Sequence, residues 1–512
     1  MHQLVIVGGG TAGWMAAIAF SARFPEKQIT VVTPEVIAPI GVGESVTGVV
    51  LEFIQNPRHQ LDIHEFVRRC DVTFKAGIWY KDWQGPGTEY LAPIDSPPDY
   101  FQHYYPSNVE EFYALIAADG ARLGDIQLFA QLMRANCTDL YRNSNGSVST
   151  DWTRVSCQFD ALKVAAFLQQ AAVKRSNVVY VNDQFESFEQ DPISGSITKI
   201  RTKEGREVAG DFFFDCTGFH RQLFAKAYRP KWKSYADYIK VDSAMPCFVP
   251  FEENQPLPPY TMATAMPAGW MWQIPTQSRF GRGYIFSSRY ADVPQAIAHM
   301  RATGTDPGDN PRVIRFEPGR FETQWQGNAC TIGLSGGFIE PLEASTIHGM
   351  YVQIKLLSEL FLPFLTPAAL PSLSRTYNQL IQGAYDDYVE FISCHYHTGR
   401  NDTEFWRDYQ KPESILPNNQ IRLEKWKHSF PMREDFTPTL TQRAWLNTGL
   451  VLWAPMIDGL GLWRREHARR VVELSQHPQL LRENAGRYVQ IRNRIMSTAL
   501  THREAIEWWE KG

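Results

Sequence analysis

Leu4-Val5-Ile6-Val7-Gly8-Gly9-Gly10-Thr11-Ala12-Gly13 is the stretch from which the fold is read. An apolar, largely β-branched run reads as a strand, the glycines as a turn, and residues 12–24 carry helical apolar spacing before residues 28–32 resume strand character. This is a βαβ unit. The glycines at 8, 10 and 13 fit G-x-G-x-x-G in the context that gives that pattern meaning, directly after a strand and before a helix. Gly8 permits the tight turn, Gly10 lets the backbone approach a pyrophosphate, and Gly13 allows close packing of helix on strand. The first helical amides, at Thr11 and Ala12, are then ready to bind the anion.

A dinucleotide unit of this kind usually closes its second strand with an acid for the ribose hydroxyls. Here the place reads Val32-Thr33-Pro34-Glu35, so Thr33 holds the strand end and Glu35 lies two residues beyond. Either can reach a ribose, and Glu35 is the acidic candidate. The strand and Thr-Gly turn of residues 211–218, and the strand running into Gly333-Leu334, are returning elements that suit an extended cofactor such as FAD. No second G-x-G-x-x-G accompanies them, so electrons are expected from an outside donor.

Composition narrows the class. With 51 Lys+Arg against 55 Asp+Glu the formal charge is −4, leaving no basic surplus for nucleic acid. A 44% hydrophobic, 21% charged chain of 512 residues supports a large core in two or three modules. Its 15 Trp, 21 Tyr and 30 Phe suit flat apolar pockets. The seven cysteines form no C-x-x-C pair, which argues against a disulfide framework and a Cys-rich zinc site, and no metal is expected. The N-terminus lacks a basic region and a signal-like apolar run, and no apolar stretch approaches the roughly 20 residues of a membrane span. A cytoplasmic protein without a membrane anchor is expected.

Strand signals at residues 178–181, 197–202 and 211–215 predict an α/β (α+β) fold with mixed sheets. Beyond about residue 350 the spacing turns helical, as in residues 353–362, 377–393 and 468–481. The expected division is a Rossmann-like FAD-binding module over residues 1–350, with an insertion near 80–130, and a helical module over 351–512 capping a substrate site. The Pro-rich stretch Leu257-Pro258-Pro259 reads as a loop.

The segment Gly269-Trp270-Met271-Trp272-Gln273-Ile274-Pro275 contains W-x-W-x-I-P. With Gly8 to Trp14, Gly41-Val42-Gly43-Glu44-Ser45, Asp215-Cys216-Thr217-Gly218-Phe219, residues 332–343, His395-Tyr396 and residues 400–407, the chain resembles the flavin-dependent tryptophan halogenase family over most of its length. The resemblance implies FAD arriving as FADH2 from a separate NAD(P)H-dependent flavin reductase, and O2 with chloride or bromide giving hypohalous acid. That oxidant travels internally to a lysine beside a small aromatic substrate. It is compatible with a homodimer.

Residue by residue, the catalytic lysine maps onto Lys75 and its carboxylate partner onto Glu343. Trp270 and Trp272 become the wall between flavin and substrate compartments. Gly43, Glu44, Ser45, Phe185, Leu334 and Ile347 join the FAD contacts, and the Ser345 and Thr346 amides inherit the halide. The family has glycine where Thr346 stands; a β-branched residue there is expected to restrict φ and alter halide choice, with bromide used at least as well as chloride. His103 and Tyr105 would sandwich the arene. In residues 442–454, Trp445 and Trp453 stand in place of a matched tyrosine pair, so an indole-like or other electron-rich arene is expected rather than free tryptophan. The alternatives are a flavin-dependent aromatic monooxygenase (hydroxylase) and a non-catalytic flavin-binding protein.

Overall fold

Residues Leu4 to Val7 are apolar on both sides of the strand because both faces are covered, as parallel strands require. In the computed structural model, which describes residues 2–35, 44–95, 109–149, 156–252, 255–436 and 448–511, Gln3–Val7 lies in a six-stranded sheet. The order is Val178–Asn182, Gln28–Thr33, Gln3–Val7, Phe212–Asp215, Ala329–Thr331 and Trp325–Gln326. All pairings are parallel except the last. Val5 and Val7 face a core shared with Val32, Phe213 and Ala329, into which the antiparallel strands Phe185–Gln190 and Ile197–Thr202 press Phe185, Ile197 and Ile200. The opposite face carries helix Thr11–Arg23, where Phe20 packs on Phe214 at 4.7 Å between ring centroids.

The chain divides into two compact units, each assembled from three segments. The first comprises Met1–Asp71, Phe159–Ile239 and Phe316–Asp386; the second comprises Val72–Gln158, Lys240–Arg315 and Asp387–Gly512. None of the five cuts falls at residue 350. Sheet membership explains the difference, since Ala329–Thr331 completes the N-terminal sheet while residues 72–158 contribute strands to a different one. The C-terminal boundary falls inside the helix Leu370–Cys394.

The second unit is built on a seven-stranded sheet whose middle is Arg279–Phe286, Gly269–Pro275, Tyr260–Met266 and Gly77–Lys81. Its pairings are antiparallel save that of Tyr260–Met266 with Gly77–Lys81. Met245, Met271, Tyr284 and Met300 form the core on one face. After Leu370 the described chain is helical apart from Ala499–Thr501, as the spacing predicts. The expected helix over 468–481 is instead two, Glu466–Glu473 and Pro478–Met496, because Pro478 holds His477 out of the helical region at φ −137°, ψ 58°.

Candidate active site

The glycine loop in the first unit is arranged as its sequence predicts. Gly8 has φ +109°, and a Cβ there would meet the Cys216 carbonyl oxygen at 2.4 Å. At Gly13 a Cβ would lie 1.9 Å from the Gly8 carbonyl oxygen, so helix and strand approach as only glycine allows. Gly10 is different: a Cβ there would meet nothing within 4 Å. It caps the helix Thr11–Arg23 without any side-chain bond to the first amides, leaving Thr11 and Ala12 with an open approach. Thr33 is buried against Gly9, whereas Glu35 is exposed beyond the strand end, its amide donating to Asn182 Oδ1 at 2.8 Å. An open amide cradle with a carboxylate at the neighbouring strand end fits a dinucleotide.

The returning elements reach the same cradle. Asp215 ends its strand by accepting from the amides of Thr217, Leu223 and Phe224 at 2.8 to 3.0 Å, so its carboxylate is spent on the local turn. Gly333, at φ +70°, lies where a Cβ would stand 3.6 Å from Ala12 Cβ and 3.7 Å from Met350 Cγ. Its N–H donates to Gln353 Oε1 at 2.8 Å, and Gln353 Nε2 donates to Gln324 Oε1 at 2.9 Å. This buried amide pair fixes the turn that carries Leu334. Phe185 sits in the core behind the sheet. Burial pushes the Glu44 carboxyl up to about 7. Beyond Ser45, Thr47 Oγ1 lies 2.9 Å from His348 Nδ1 on the helix Ser345–Leu356.

Glu343 has φ +65° and Ala344 φ +55°, two consecutive non-glycine residues in the left-handed region. That region costs roughly 1–2 kcal/mol per residue. Ser345 follows with φ −66°, and the helix Ser345–Leu356 starts there without a side-chain cap. The Ser345 and Thr346 amides are therefore first-turn donors of a helix, a setting that favours an anion. Thr346 itself is helical, in the first turn of that helix. The unusual φ values belong to its two predecessors before Ser345.

In the second unit Lys75 is 3% exposed, at the end of the strand Thr73–Lys75. This strand pairs antiparallel with residues 156–158, Lys75 opposite Ser156. Thr73 Oγ1 donates to the Pro275 carbonyl at 2.8 Å, and Gln277 Nε2 donates to the Val72 carbonyl at 2.9 Å. The W-x-W-x-I-P strand thus ends on the strand of the lysine. Trp270 and Trp272 share the face opposite Met271, 6.3 Å apart and edge to face. Small residues at Ala265, Ala263 and Gly283 make room for them: Trp270 lies between Ala265 and Ile285, Trp272 between Ala263 and Gly283. A Cβ at Gly283 would come 2.1 Å from the Trp272 ring.

His395, Tyr396 and the residue 400–407 motif have structural partners in the second unit. His395 Nε2 is 3.3 Å from Tyr80 Oη, Thr403 Oγ1 donates to the Pro267 carbonyl at 2.7 Å, and Trp406 Nε1 donates to the Met266 carbonyl at 3.0 Å. The motif clamps the turn that feeds the tryptophan strand. Trp453 is 1% exposed, ringed by Phe391, Trp426 and Phe436, with Nε1 donating to Thr448 Oγ1 at 2.9 Å. The Thr448 N–H in turn donates to Asp387, whose carboxyl is pushed by burial up to about 6. Gly43, His103, Tyr105 and Trp445 lie outside the described residues. Sequence reading missed Thr73, Gln353 and Asp387, whose roles come from long-range bonds that leave no local pattern.

The profile of the tryptophan halogenase family matches residues 3–456. The chain belongs to the tryptophan halogenase family. As a member it is an enzyme of the flavin-dependent halogenases. Tryptophan 7-halogenase RebH of Lentzea aerocolonigenes is 32% identical over 427 residues, 80% of this chain and 78% of its own. Among solved structures, Tar14, a tryptophan C-6 flavin-dependent halogenase (chlorinase) from taromycin biosynthesis, matches with a TM-score of 0.88 at 26% identity, covering 100% of both chains. BrvH, a flavin-dependent halogenase from Brevundimonas sp. BAL3, matches with a TM-score of 0.83 at 26% identity, covering 100% of this chain and 99% of its own. Among the described residues no helix of this halogenase is long and apolar enough to cross a membrane.

Two outcomes follow from this geometry. Gly10→Ala should weaken flavin binding while leaving unfolding within about 0.5 kcal/mol of wild type, whereas Gly13→Ala should destabilise by about 1–3 kcal/mol through overpacking. Flavin titration and denaturant melts check the contrast, and equal stability losses would refute it. For Asp387 the folded pKa of about 6 lies above the ordinary value, so its contribution is full at low pH and is lost as pH rises through 6. Asp387→Asn should therefore gain stability over wild type above pH 6, by up to about 3 kcal/mol, and not below pH 4. Thermal melts across that range check it; a pH-independent difference would count against the buried charge.

Proposed function

We propose that the enzyme halogenates an indole-like or other electron-rich arene, using FADH2, O2 and chloride or bromide. When bound, the reduced flavin would supply two electrons to O2, the oxidant, and the halide the other two: FADH2, O2, halide and a proton give FAD, hypohalous acid and water. The chain's own residues do the rest. The Gly10 cradle with the Thr11 and Ala12 amides would hold the pyrophosphate, and Glu35 the ribose. The Ser345 and Thr346 amides would hold the halide. Lys75 accepts the hypohalous acid as a hydrogen-bonded or haloamine species, so that the electrophile is positioned instead of diffusing. The arene takes the halogen and its displaced ring proton passes to Glu343, water leaving as the second product. Trp270 and Trp272 keep the substrate from the flavin.

The observation that carries this reading is Lys75, buried on a strand that bonds directly to the end of the tryptophan strand. Lysines are almost never fully buried unless paired. For the substrate, RebH and Tar14 are named for tryptophan. Here Trp453 is a packed core residue whose N–H is already used, which offers no polar partner to an amino-acid ammonium or carboxylate. An arene without those charged groups, or one carried on a larger molecule, fits better than free tryptophan. FADH2 would come from a separate NAD(P)H-dependent reductase, and a homodimer is compatible with the family. No disulfide joins any of the seven cysteines, which suits a reducing cytoplasm.

Incubating the protein with a flavin reductase, NADH, bromide and a panel of indoles and phenols should yield products with the bromine isotope doublet by mass spectrometry. An oxygen-only mass gain would indicate a hydroxylase instead. Lys75→Ala should bind FAD normally and form no brominated arene; wild-type product would refute the role of the lysine. Glu343→Gln should lower turnover by about 10²–10⁴-fold, measured in the same assay, and an unchanged rate would remove Glu343 from the chemistry.

A further inference from the structure

The strand Thr73–Lys75 is short and has a ladder partner on one side within its unit. On the other side the Phe74 N–H points out of the ladder into the protein interior, where Phe74 is buried. An unmet donor there would be costly. Its partner is a side chain: the Phe74 N–H donates to His502 Nε2 at 2.8 Å. A histidine stands where a neighbouring strand's carbonyl would otherwise be.

His502 can accept that bond only as a neutral ring protonated at Nδ1, and the second contact enforces this tautomer. Nδ1 lies 3.3 Å from the Leu257 carbonyl, its acceptor. Burial also holds the ring neutral, lowering its pKa to about 4. The loop Leu257-Pro258-Pro259 then has a purpose beyond turning the chain. Besides Leu257, its Pro259 carbonyl accepts from the Ala76 N–H at 2.7 Å. Lys75 is thus framed by one bond at each neighbour, Phe74 to His502 and Ala76 to Pro259. Thr73 on Pro275 adds a third.

The C-terminal segment is built to deliver this ring. Thr501 pairs with Cys137, and the His502 N–H donates to the Asn136 carbonyl at 3.0 Å. Thr501 and Glu504 make a reciprocal cap: the Thr501 N–H donates to Glu504 Oε2 at 2.9 Å and the Glu504 N–H to Thr501 Oγ1 at 3.4 Å. The helix His502–Lys511 therefore begins at a fixed place with His502 as its first residue. Trp509, one helical face further on, packs 6.3 Å from the Phe74 ring.

We propose that His502 is a positioning residue for Lys75, making the C-terminal helix part of the halogenation machinery. The inference rests on the role given to Lys75 above. Loss of the acceptor should let the strand shift and the electrophile escape, and a displacement of about 1 Å can cost about 10²-fold in a positioned reaction. The test measures coupling, the ratio of brominated arene to hypobromite caught by an added scavenger, in His502→Ala, His502→Phe and His502→Gln beside Lys75→Ala. His502→Ala should keep FAD affinity and total oxidant production while its coupling falls at least tenfold. His502→Phe, which fills the space without an acceptor, should behave likewise and carries the test if the alanine variant unfolds. His502→Gln, which can still accept from Phe74, should recover most of the coupling. Wild-type coupling in the phenylalanine variant, or a parallel loss of FAD binding and oxidant in all three, would overturn the proposal while Lys75→Ala remains inactive. Wild-type product from Lys75→Ala would instead overturn the functional reading, and this one with it.

Discussion

An amine withdrawn from water has to be held by its surroundings, and the second unit is organised around that need at Lys75. Burying an ammonium is expensive unless it finds partners and stays where they are. A three-residue strand could not guarantee this alone. Its backbone and its threonine are instead tied to the Pro275 carbonyl, the Pro259 carbonyl and the His502 ring. Two of these three anchors are carbonyls of prolines. The tryptophans and the lysine consequently sit on elements that share bonds.

The first unit uses a different device, the close approach of backbone to backbone. Gly13 against the Gly8 carbonyl and Gly8 against Cys216 bring helix and strands nearer than any side chain would permit, while Gly10 is left facing open space. At the other end of the cradle the chain accepts unfavourable dihedrals at Glu343 and Ala344 to start the helix Ser345–Leu356 at a chosen angle. Strain of that kind tends to be kept where function needs it. It places a carboxylate directly ahead of two uncapped amides. The Gln353 and Gln324 pair then locks the intervening turn of Gly333 without adding charge.

What could be read from the sequence was whatever depends on neighbours in the chain. The βαβ start, the tight turn at Gly8, the close packing at Gly13 and the sidedness of Trp270 and Trp272 follow from local pattern, and the structure shows each of them. The single cut at residue 350 did not hold, because strand partners are chosen by sheet edges and not by order in the chain. The left-handed turn at Glu343 and Ala344 was not legible, because nothing in those residue types announces it. His502 was partly legible. Thr501 followed by Glu504 signals a helix start, but the bond to Phe74 spans the chain and has no local trace.

The interleaving of segments also sets the order in which the molecule can be completed as it leaves the ribosome. Once Phe212–Asp215 has been made, the end of Ala329–Thr331 is still about 116 residues away, which at 5–20 residues per second means a wait of roughly 6 to 23 s. During that interval the edge of Phe212–Asp215 has no strand to its outer side. The His502 ring that bonds Phe74 arrives later still, so a nascent chain can complete its N-terminal sheet well before the strand that carries Lys75 gains its last anchor.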